Sequence, residues 1–441
     1  MIITQNVKIE ILIAGVKKTV KVIVIGSGGR EHALAYKLLQ SSRVTQVFCI
    51  PGNAGTATLE RCQNVSLAVD HFEGIARVAK EQQIDLVVVG PELPLSLGIT
   101  DYLQEQDIRV FGPNKLAAQL EASKSWAKSL MYDANIPAAH SSNFTDAESA
   151  YSYLQDKEAP IVIKADGLAA GKGVIVAQTQ AEAKQAIDDL FASGFTKLLI
   201  EDYLEGEELS VLALTDGMTI RPLLPAQDHK RIGDGDTGKN TGGMGAYSPS
   251  PLATPELMER IQQEVLEPTL QGLKNRGIDY RGIIYVGLMI TSSGSLKVLE
   301  YNCRFGDPET QAILPLLDTS LAELILACLE QRLGEFPDIA WKDEVSVCVV
   351  LSSAGYPDES EKGKVIKGIA QAESEDVRVF HAATILKDDQ ILTDGGRVLG
   401  VTAMAKSFDA AIEKAYQAVN LIQFEGMYYR HDIGHRVLAK V

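Results

Sequence analysis

The run that says most about the fold is Leu299-Glu300-Tyr301-Asn302-Cys303-Arg304-Phe305-Gly306-Asp307-Pro308-Glu309-Thr310. If Lys297–Asn302 is a strand, side chains two residues apart share a face, so Glu300, Asn302 and Arg304 converge on one spot. Hard cations such as Mg²⁺ take carboxylate and amide oxygens as ligands, usually beside phosphate oxygens. A neighbouring arginine suits an anionic substrate. The alternative is a solvated charge cluster at a strand end.

Composition limits the class of protein. A chain of 441 residues is too long for one core, so roughly two to four domains are expected. Lys+Arg 42 against Asp+Glu 58 gives a net charge of −16, which disfavours nucleic-acid binding as the main role. No apolar run reaches the roughly 18 residues of a membrane span. The five cysteines are scattered without a C-x-x-C pair, which indicates reduced thiols in the cytoplasm.

The first 20 residues form an N-terminal extension whose order the sequence does not reveal. Ile11–Val16 is a short apolar stretch with no basic segment before it, so a secretory signal is not indicated. Val7–Ile11 alternates as an edge strand would.

From Val20 to Pro113, continuous apolar strands alternate with amphipathic helices. This alternation is typical of a parallel sheet with helices on both faces. The predicted strands are Val20–Ile25, Val47–Ile50, Asp85–Gly90 and Arg109–Phe111, and the predicted helices are Glu31–Leu39, Phe72–Gln83 and Ser96–Gln106.

The middle of the chain predicts an α+β region. A single long helix is expected over Asn114–Asp133, followed by a small unit with strands Ile161–Ala165, Gly173–Ala177 and Lys197–Tyr203 and a helix Gln180–Phe191. Antiparallel strands follow at Glu208–Thr215, Ile220–Leu224, Ile283–Ile290 and Lys297–Asn302, with helices Pro255–Asn275 and Leu321–Leu333.

After Pro337 the pattern changes to strands and turns, with strands at Ser346–Ser352, Thr384–Leu386 and Arg397–Met404 and a helix over Asp409–Ile422. Gly395-Gly396 is a hairpin signal. The predicted division is therefore an extension (1–20), a parallel-sheet domain (21–121), a central domain (122–335, with a small subdomain at about 124–197) and a C-terminal β-rich domain (343–441).

A glycine-rich turn, Gly26–His32, follows the first strand and opens a helix, which favours an anion at that point. A dinucleotide fingerprint would need a glycine at Glu31 and an acidic residue where Ile50 and Pro51 stand, so NAD binding is not indicated. A purely structural turn remains the alternative.

Two further loops carry glycines and charges. Lys164–Val174 lies between strands, so it is a hairpin loop that suits a flap over a triphosphate rather than a Walker loop. Asp228–Gly245 is too polar to form a core, and a loop of this length inside a domain is usually functional. A flexible hairpin and a disordered surface loop are the respective alternatives. Between them, Ile200–Ser210 predicts a hinge whose backbone could bond an adenine edge, although alone it would be a solvated turn.

Six segments in order resemble the ATP-grasp ligases, and most closely their carboxylate–amine ligases of purine biosynthesis. The segments are Gly26–His32, Pro51–Gly55, Lys164–Val174, Glu201–Ser210, Asp228–Gly245 and Leu299–Gln311. The resemblance covers the chain from about Lys21 to its C-terminus. It implies an α/β and α+β fold: a parallel-sheet, Rossmann-like pre-ATP-grasp domain, a two-subdomain ATP-grasp core with nucleotide between the subdomains, and a small β-rich domain.

The implied reaction joins glycine to 5-phosphoribosylamine at the expense of ATP, through a glycyl phosphate. The products are glycinamide ribonucleotide, ADP and phosphate. By resemblance, the metal ligands for Mg²⁺ or Mn²⁺ are Glu300 and Asn302. The ATP-binding residues are Lys124, Lys164, Lys172, Glu201, Leu204, Glu208 and Lys230. The catalytic pair is Arg304 and Asp307. The substrate-binding residues are Gly28, Gly29, Glu31, Gly52, Asn53, Asp228, Thr241, Gly242 and Gly243, together with Arg304 and Asp307.

The resemblance further implies a cytoplasmic enzyme, expected to be monomeric, whose partners are small molecules and neither nucleic acid nor membrane. Lys239 departs from the pattern, because this subfamily commonly has proline there. Val286–Ile290 lacks the additional metal-binding glutamate of many ATP-grasp enzymes. Three other functions remain open: an ATP-grasp ligase with a different acceptor, a nucleotide-sensing protein without turnover, and an NAD oxidoreductase.

Overall fold

A computed structural model describes residues 19–168 and 173–438. Its N-terminal part is a five-stranded parallel sheet in the order β3-β2-β1-β4-β5. The strands are β1 (Val20–Gly26), β2 (Val44–Pro51), β3 (Cys62–Asn64), β4 (Leu86–Val89) and β5 (Val110–Phe111). The helices are α1 (Gly29–Leu39), α2 (Phe72–Glu81), α3 (Glu92–Leu97) and α4 (Ile99–Gln104). The predicted parallel sheet is confirmed, and β1 is apolar and buried apart from Lys21 because it is covered on both faces.

The helix predicted over Ser96–Gln106 is two helices, α3 and α4. Gly98 separates them with φ +97°, a left-handed conformation that ends α3 and begins α4. Glycine adopts this φ readily, whereas a residue with a Cβ rarely does. The hydrophobic periodicity continues on either side of Gly98 and did not reveal the break.

The long helix predicted over Asn114–Asp133 is also divided, into α5 (Gln119–Ala122) and α6 (Lys124–Asp133). Ser123 between them is extended, and its hydroxyl accepts a hydrogen bond from the Trp126 amide. The serine therefore caps α6 instead of continuing α5.

A small unit follows, with the sheet order β6-β9-β7-β8. It contains β6 (Ser141–Phe144), α7 (Ala147–Leu154), β7 (Ile161–Ala165), β8 (Val174–Ala177), α8 (Gln180–Ala192) and β9 (Leu198–Asp202). All pairs in this sheet are antiparallel. Its helices pack their alanine and leucine faces on the sheet to form a separate hydrophobic core.

The next region contains β10 (Gly206–Asp216), β11 (Ile220–Pro222), β12 (Gln227–Asp228), β13 (Arg231–Gly233), β14 (Thr237–Asn240), β15 (Gly245–Ser248), α9 (Pro255–Ile261), α10 (Glu267–Asn275), β16 (Arg281–Thr291) and β17 (Leu296–Asn302). A π-helical segment, Gln262–Leu266, joins α9 to α10. The antiparallel sheet has the order β11-β10-β16-β17. Its apolar residues share one core with the N-terminal sheet.

The loop Asp228–Gly245 differs from its prediction. Its centre is the hairpin β13–β14, and its two ends are buried, with His229 and Met244 fully inaccessible to solvent. The prediction that this segment is too polar to form a core rested on its polar tip, whereas the two ends of the same segment enter the core.

The C-terminal part contains α11 (Glu309–Ile313), α12 (Leu321–Leu329), β18 (Val345–Ser352), α13 (Ile369–Ala372), β19 (Val377–His381), β20 (Thr384–Lys387), β21 (Gln390–Thr393), β22 (Arg397–Ala405), α14 (Phe408–Val419) and α15 (His435–Leu438). Its main sheet has the order β12-β15-β18-β22-β19. Two strands from the preceding region therefore complete a sheet of the C-terminal part.

The hairpin predicted at Gly395-Gly396 is wrong. The hairpin joins β20 and β21 and turns at Asp388 and Asp389, both with positive φ. Gly395-Gly396 instead connects β21 to β22, which belong to different sheets.

Candidate active site

A cleft of about 880 Å³ lies where the four regions meet. Residues from Arg30 near the N-terminus to Arg436 near the C-terminus line it. Of the residues predicted from the sequence, those that line the cleft are Lys124, Lys164, Glu201, Leu204, Glu208, Asp228, Lys230, Thr241, Gly242, Glu300, Asn302, Arg304 and Asp307. Lys172 lies outside the described residues.

The predicted metal ligands lie on β17, which pairs with β16. Glu300 is opposite Gly287 and Asn302 is opposite Tyr285, so both side chains are on one face. Lys230 Nζ lies 3.5 Å from Glu300 Oε1 and 2.9 Å from Glu208 Oε2. Lys230 holds the pKa of Glu300 below its usual value, against the effect of burial. Glu300 is therefore an anion that faces the cleft.

Glu300 and Asn302 suit a cation that takes its remaining ligands from a substrate. The described residues contain no cluster of three or more histidine, cysteine or acidic side chains able to hold a metal on its own. One carboxylate and one amide oxygen are what Mg²⁺ commonly takes from a protein when phosphates supply further oxygens. The donor set therefore fits a nucleotide-bound divalent cation.

The cleft end formed by β7, β9, β10 and β17 carries the predicted adenine, phosphate and metal residues; it is called the nucleotide end below. Glu201 is buried and paired with Lys164 at 2.8 Å and Lys128 at 3.3 Å. Lys164 also donates to the Leu299 carbonyl at 3.1 Å. Lys124 donates to the Gly167 carbonyl at 2.9 Å, at the base of the predicted flap. Lys128 is a residue that the sequence gave no reason to select.

The segment between β9 and β10, residues 203–205, is the predicted hinge. Leu204 lines the cleft there, and the apolar side chains of Met131, Val162, Val176 and Met289 contribute to the same cleft. An apolar wall beside exposed backbone is the arrangement that an adenine ring needs, since the ring stacks on the wall and bonds the backbone with its edge.

Arg304 is surrounded by acceptors. Its guanidinium lies 3.0 Å from Glu121 and 3.3 Å from Glu92, and it donates to Asn302 Oδ1 at 3.0 Å. Burial opposes ionisation of both acids, and it raises the pKa of Glu121, but Arg304 and Arg30 lower the pKa of Glu92. Neither acid was predicted from the sequence, because the pairing joins segments far apart in the chain.

Asp307 lies beside an arginine of the C-terminal sheet. Arg397 Nη1 lies 3.4 Å from Asp307 Oδ1 and donates to the Asp307 carbonyl at 2.7 Å. Burial would raise the pKa of Asp307, yet Arg397 and Arg30 lower it. Arg397 was not singled out in the sequence, where it follows a glycine pair with no motif around it.

The loop residues Thr241, Gly242 and Gly243 are fixed by hydrogen bonds. Thr241 donates to the Lys230 carbonyl at 2.9 Å, and the Gly242 amide donates to the Tyr356 hydroxyl at 3.0 Å. Gly243 does not line the cleft itself but contacts Asp228, which does.

The glycine turn after β1 is beside the cleft and does not line it, apart from Arg30. Glu31 is buried and accepts hydrogen bonds from the Gly28 amide, at 2.6 Å, and from Arg30. Asn53 donates to the carbonyls of Ser27, at 2.8 Å, and His381, at 2.7 Å.

Gly29 begins α1 and packs against Gln311, and Gly52 packs against Asn64. Gly28, Gly29, Glu31, Gly52 and Asn53 therefore lie together, and Gly28 lies next to Asp307. The side chains of Glu31 and Asn53 support the turn, whereas Arg30, which was not predicted, reaches the cleft.

Three models of one family match the chain. They are the Phosphoribosylglycinamide synthetase N domain over residues 20–121, its ATP-grasp (A) domain over 122–310 and its C domain over 346–436. Similar proteins include a phosphoribosylamine–glycine ligase of Nostoc sp., 62% identical over 422 residues, which covers 95% of this chain and 99% of the relative. Another, from Vibrio vulnificus, is 48% identical over 424 residues, or 95% of this chain and 99% of the relative.

Solved structures are similar as well. A crystal structure of phosphoribosylamine–glycine ligase from Thermotoga maritima aligns with a TM-score of 0.81 and 34% identity, over 94% of this chain and 100% of that one. A biotin carboxylase domain from Hydrogenobacter thermophilus aligns with a TM-score of 0.71 over 93% and 91% of the two chains. At 17% identity the latter shows a likeness of fold alone.

Proposed function

This chain belongs to the phosphoribosylglycinamide synthetase family, and from that premise we propose that it ligates glycine to 5-phosphoribosylamine with ATP in purine biosynthesis. The predicted resemblance to ATP-grasp ligases and the predicted α/β and α+β fold are confirmed by the family match and the fold likeness. The NAD oxidoreductase alternative is therefore dropped.

The reaction needs two transfers. A carboxylate oxygen of glycine attacks the γ-phosphorus of ATP, the bond to the bridging oxygen breaks, and ADP leaves. The amine of 5-phosphoribosylamine then attacks the glycyl phosphate carbonyl, loses a proton, and phosphate leaves with the carbon–oxygen bond electrons. No protein nucleophile is required, so catalysis consists of positioning and of neutralising charge.

Cys303 is not a nucleophile in this scheme. Its thiol is buried and lies 3.2 Å from Glu121 Oε2, and burial together with that carboxylate raises the pKa of the thiol well above its usual value. The thiolate that nucleophilic attack would need is thus disfavoured.

For the nucleotide, we assign Lys124, Lys164, Lys172 and Lys230 to the phosphates, Glu201 and Leu204 to the adenine, and Glu208 to the ribose. The support is that the described lysines line the cleft and contact carbonyls and carboxylates that phosphate oxygens can replace. Burial alone would lower the pKa of Lys230, but Glu208 and Glu300 raise it well above its usual value, so this lysine is cationic.

We assign Glu300 and Asn302 to Mg²⁺ or Mn²⁺, which when bound to the nucleotide neutralises charge on its phosphates. The hydrogen bond from Arg304 to Asn302 Oδ1 fixes the orientation of that amide.

Arg304 and Asp307 are proposed to act at the acyl phosphate and the amine. The remaining substrate contacts are assigned to Gly28, Gly29, Glu31, Gly52, Asn53, Asp228, Thr241, Gly242 and Gly243. Because Glu31 and Asn53 are occupied by hydrogen bonds within the protein, their contribution is to hold the turn, and the backbone of the glycines would meet the phosphoribosyl group.

The observation that carries the proposal is the cleft in which Glu300, Asn302 and three lysines of the nucleotide end converge. We also propose that the protein is a monomer. The five cysteines are free thiols, which supports a cytoplasmic location. No helix within residues 19–168 and 173–438 is long and apolar enough to cross a membrane.

We also propose the domain limits 21–121, 122–335 and 343–441, with residues 124–197 as the small subdomain and residues 1–20 as an extension. Limited proteolysis followed by mass spectrometry of the fragments tests these limits.

The reaction is tested by following ADP release with ATP, Mg²⁺, glycine and 5-phosphoribosylamine, and by identifying glycinamide ribonucleotide in the products. ADP release that needs glycine but gives no product with this amine would favour a ligase with a different acceptor. Nucleotide binding without any release of ADP would favour the nucleotide-sensing alternative.

A further inference from the structure

Arg397 uses only part of its guanidinium within the protein. Its Nη1 donates to the carbonyls of Gly242 at 2.6 Å, Gly243 at 3.4 Å and Asp307 at 2.7 Å. Nε and Nη2 have no hydrogen-bond acceptor among residues 19–168 and 173–438. The side chain is 22% exposed and contributes to the cleft. One edge of an anchored arginine is thus available to a ligand.

Arg304 provides the contrast. Its Nε, Nη1 and Nη2 all have protein acceptors, which are Glu92, Glu121, Asn302 and the Phe305 carbonyl. An oxyanion could reach Arg304 only by displacing these partners. Of these two arginines, Arg397 is therefore the one prepared to bind a substrate oxyanion.

Asp228 shows the complementary feature. It lines the cleft, yet neither of its carboxylate oxygens receives a hydrogen bond or an ion pair from the part of the chain that the structure describes. Its Oδ1 is buried, and a Cβ on Gly243 would lie 2.7 Å from that atom. A buried carboxylate oxygen without a hydrogen-bond partner is costly, so this oxygen favours a ligand that donates to it.

Arg397 lowers the pKa of Asp228, and Asp228 raises the pKa of Arg397, but the two side chains form no ion pair. Both lie beside Gly243: Asp228 Oδ1 is close enough to crowd a Cβ placed on this glycine, and Arg397 Nη1 donates to its carbonyl. The unpartnered Asp228 Oδ1 and the open Nε and Nη2 edge of Arg397 offer one acceptor and one set of donors, which fits a small zwitterion better than a nucleotide or a sugar phosphate.

We propose that Asp228 and Arg397 form the binding subsite for glycine, with the ammonium on the Asp228 carboxylate and a carboxylate oxygen on the Nε and Nη2 edge of Arg397. This inference rests on the proposed function, since it names the residues that hold one of its substrates. Burial and Glu309 raise the pKa of Asp228, although Lys230 and Arg397 lower it, and a bound ammonium would lower it further.

Gly242 keeps the arginine edge open. A Cβ at this position would lie 3.0 Å from Arg397 Cζ and 3.1 Å from Nη2. Any side chain here would therefore crowd the Nε and Nη2 edge, which is the proposed carboxylate position.

The subsite is tested by measuring glycine affinity calorimetrically on the full chain, in the presence of Mg²⁺ and a non-hydrolysable ATP analogue. Asp228→Asn and Arg397→Gln should each weaken glycine binding at least about tenfold, because each loses a charge-assisted hydrogen bond. The affinity for the ATP analogue should stay within about twofold. Methylamine and acetate, which each carry one of the two charges, should not compete with glycine.

Two further variants separate binding from folding. Gly242→Ala retains Arg397, so it should weaken glycine binding even if Arg397→Gln does not fold. Arg378→Gln is the matched control, since Arg378 joins the C-terminal sheet to Tyr36 outside the cleft and should leave glycine affinity unchanged.

Unchanged glycine affinity in Asp228→Asn or in both Arg397→Gln and Gly242→Ala would overturn the subsite. So would a rise in the KM for 5-phosphoribosylamine alone in Arg397→Gln, because the bound oxyanion would then be its phosphate. These results are distinct from failure of the proposed function, in which the unmodified protein would release no ADP in response to glycine.

Discussion

Charged side chains at the nucleotide end of the cleft differ from those under the glycine turn in exposure and in the bonds they make. The Glu300 side chain is 39% exposed, whereas that of Glu31 is 2% exposed. Lys230 contacts two carboxylates across the cleft, while Glu31 is bonded to its immediate neighbours Gly28 and Arg30. The acids of these two sequence motifs therefore differ in role. Glu300 can exchange partners with a ligand, whereas Glu31 holds the backbone in shape.

The largest expected effect is at the nucleotide end. Glu300→Ala removes the carboxylate proposed to hold the metal and the partner of Lys230, so kcat should fall roughly 10²–10³-fold. Binding of a fluorescent adenine nucleotide should change little, since the hinge is untouched. Glu264→Ala, which breaks only an exposed pair with Arg260, is the control. Normal turnover in Glu300→Ala would remove the distinction between the two regions.

Next in size is a pH effect at the contact between the glycine turn and the C-terminal sheet. Burial lowers the pKa of His381 to about 4. As pH falls from about 6.5 to about 4, the unfolded chain binds a proton that the folded chain does not, so the free energy of unfolding should decrease by about 3 kcal/mol. Above about pH 6.5 the contribution should be constant.

Urea unfolding followed by circular dichroism at several pH values measures this slope. His381→Gln keeps the backbone bonds to His32 and Asn53 but lacks the titrating ring, so its slope should be smaller by about one proton. Equal slopes in the two proteins would show that His381 is not the source.

A third change tests the structural role of the glycine turn. Glu31→Gln weakens two charge-assisted hydrogen bonds, and we expect the free energy of unfolding to fall by about 2 kcal/mol. The KM for ATP should not change, because Glu31 does not line the cleft. Glu73→Gln, in the first turn of α2, serves as the comparison. A large loss of ATP affinity with unaltered stability would place Glu31 among the ligand-binding residues.

The smallest effect is expected at Lys239, on the rim of the loop. Lys239 pairs with Asp358 at 2.6 Å, but both side chains are more than half exposed. Lys239→Ala should leave kcat and each KM within about twofold, since exposed ion pairs contribute little. A tenfold loss would mean that the lysine takes part in binding, in place of the proline common in the subfamily.

Local patterns in the sequence predicted much of the fold. Continuous apolar segments such as Val20–Ile25 indicated the parallel sheet, and the alternation along Lys297–Asn302 put Glu300 and Asn302 on one face. These features depend on neighbours a few residues away, which is the range over which periodicity is informative.

Features set by distant contacts could not be read in the same way. Ser123 interrupts a helical pattern because its hydroxyl caps α6 and contacts Asp166, which is 43 residues away in the chain. Glu121 meets the Cys303 amide and Arg304 across about 180 residues. Arg397 reaches Gly242, which is 155 residues away in the chain. No spacing rule joins such positions, so the surroundings of Arg304 and Arg397 were less predictable than the nucleotide end.

The pairing of β15 with β18 has a practical consequence. Gly245–Ser248 belongs to the ATP-grasp match, whereas β18 begins the part matched by the C domain. A fragment expressed from residue 343 onward would lack β15 and leave the β18 edge bare, and bare edges recruit other chains. Such a fragment should aggregate when produced alone and remain dispersed when co-expressed with residues 1–342, which supply the missing strand.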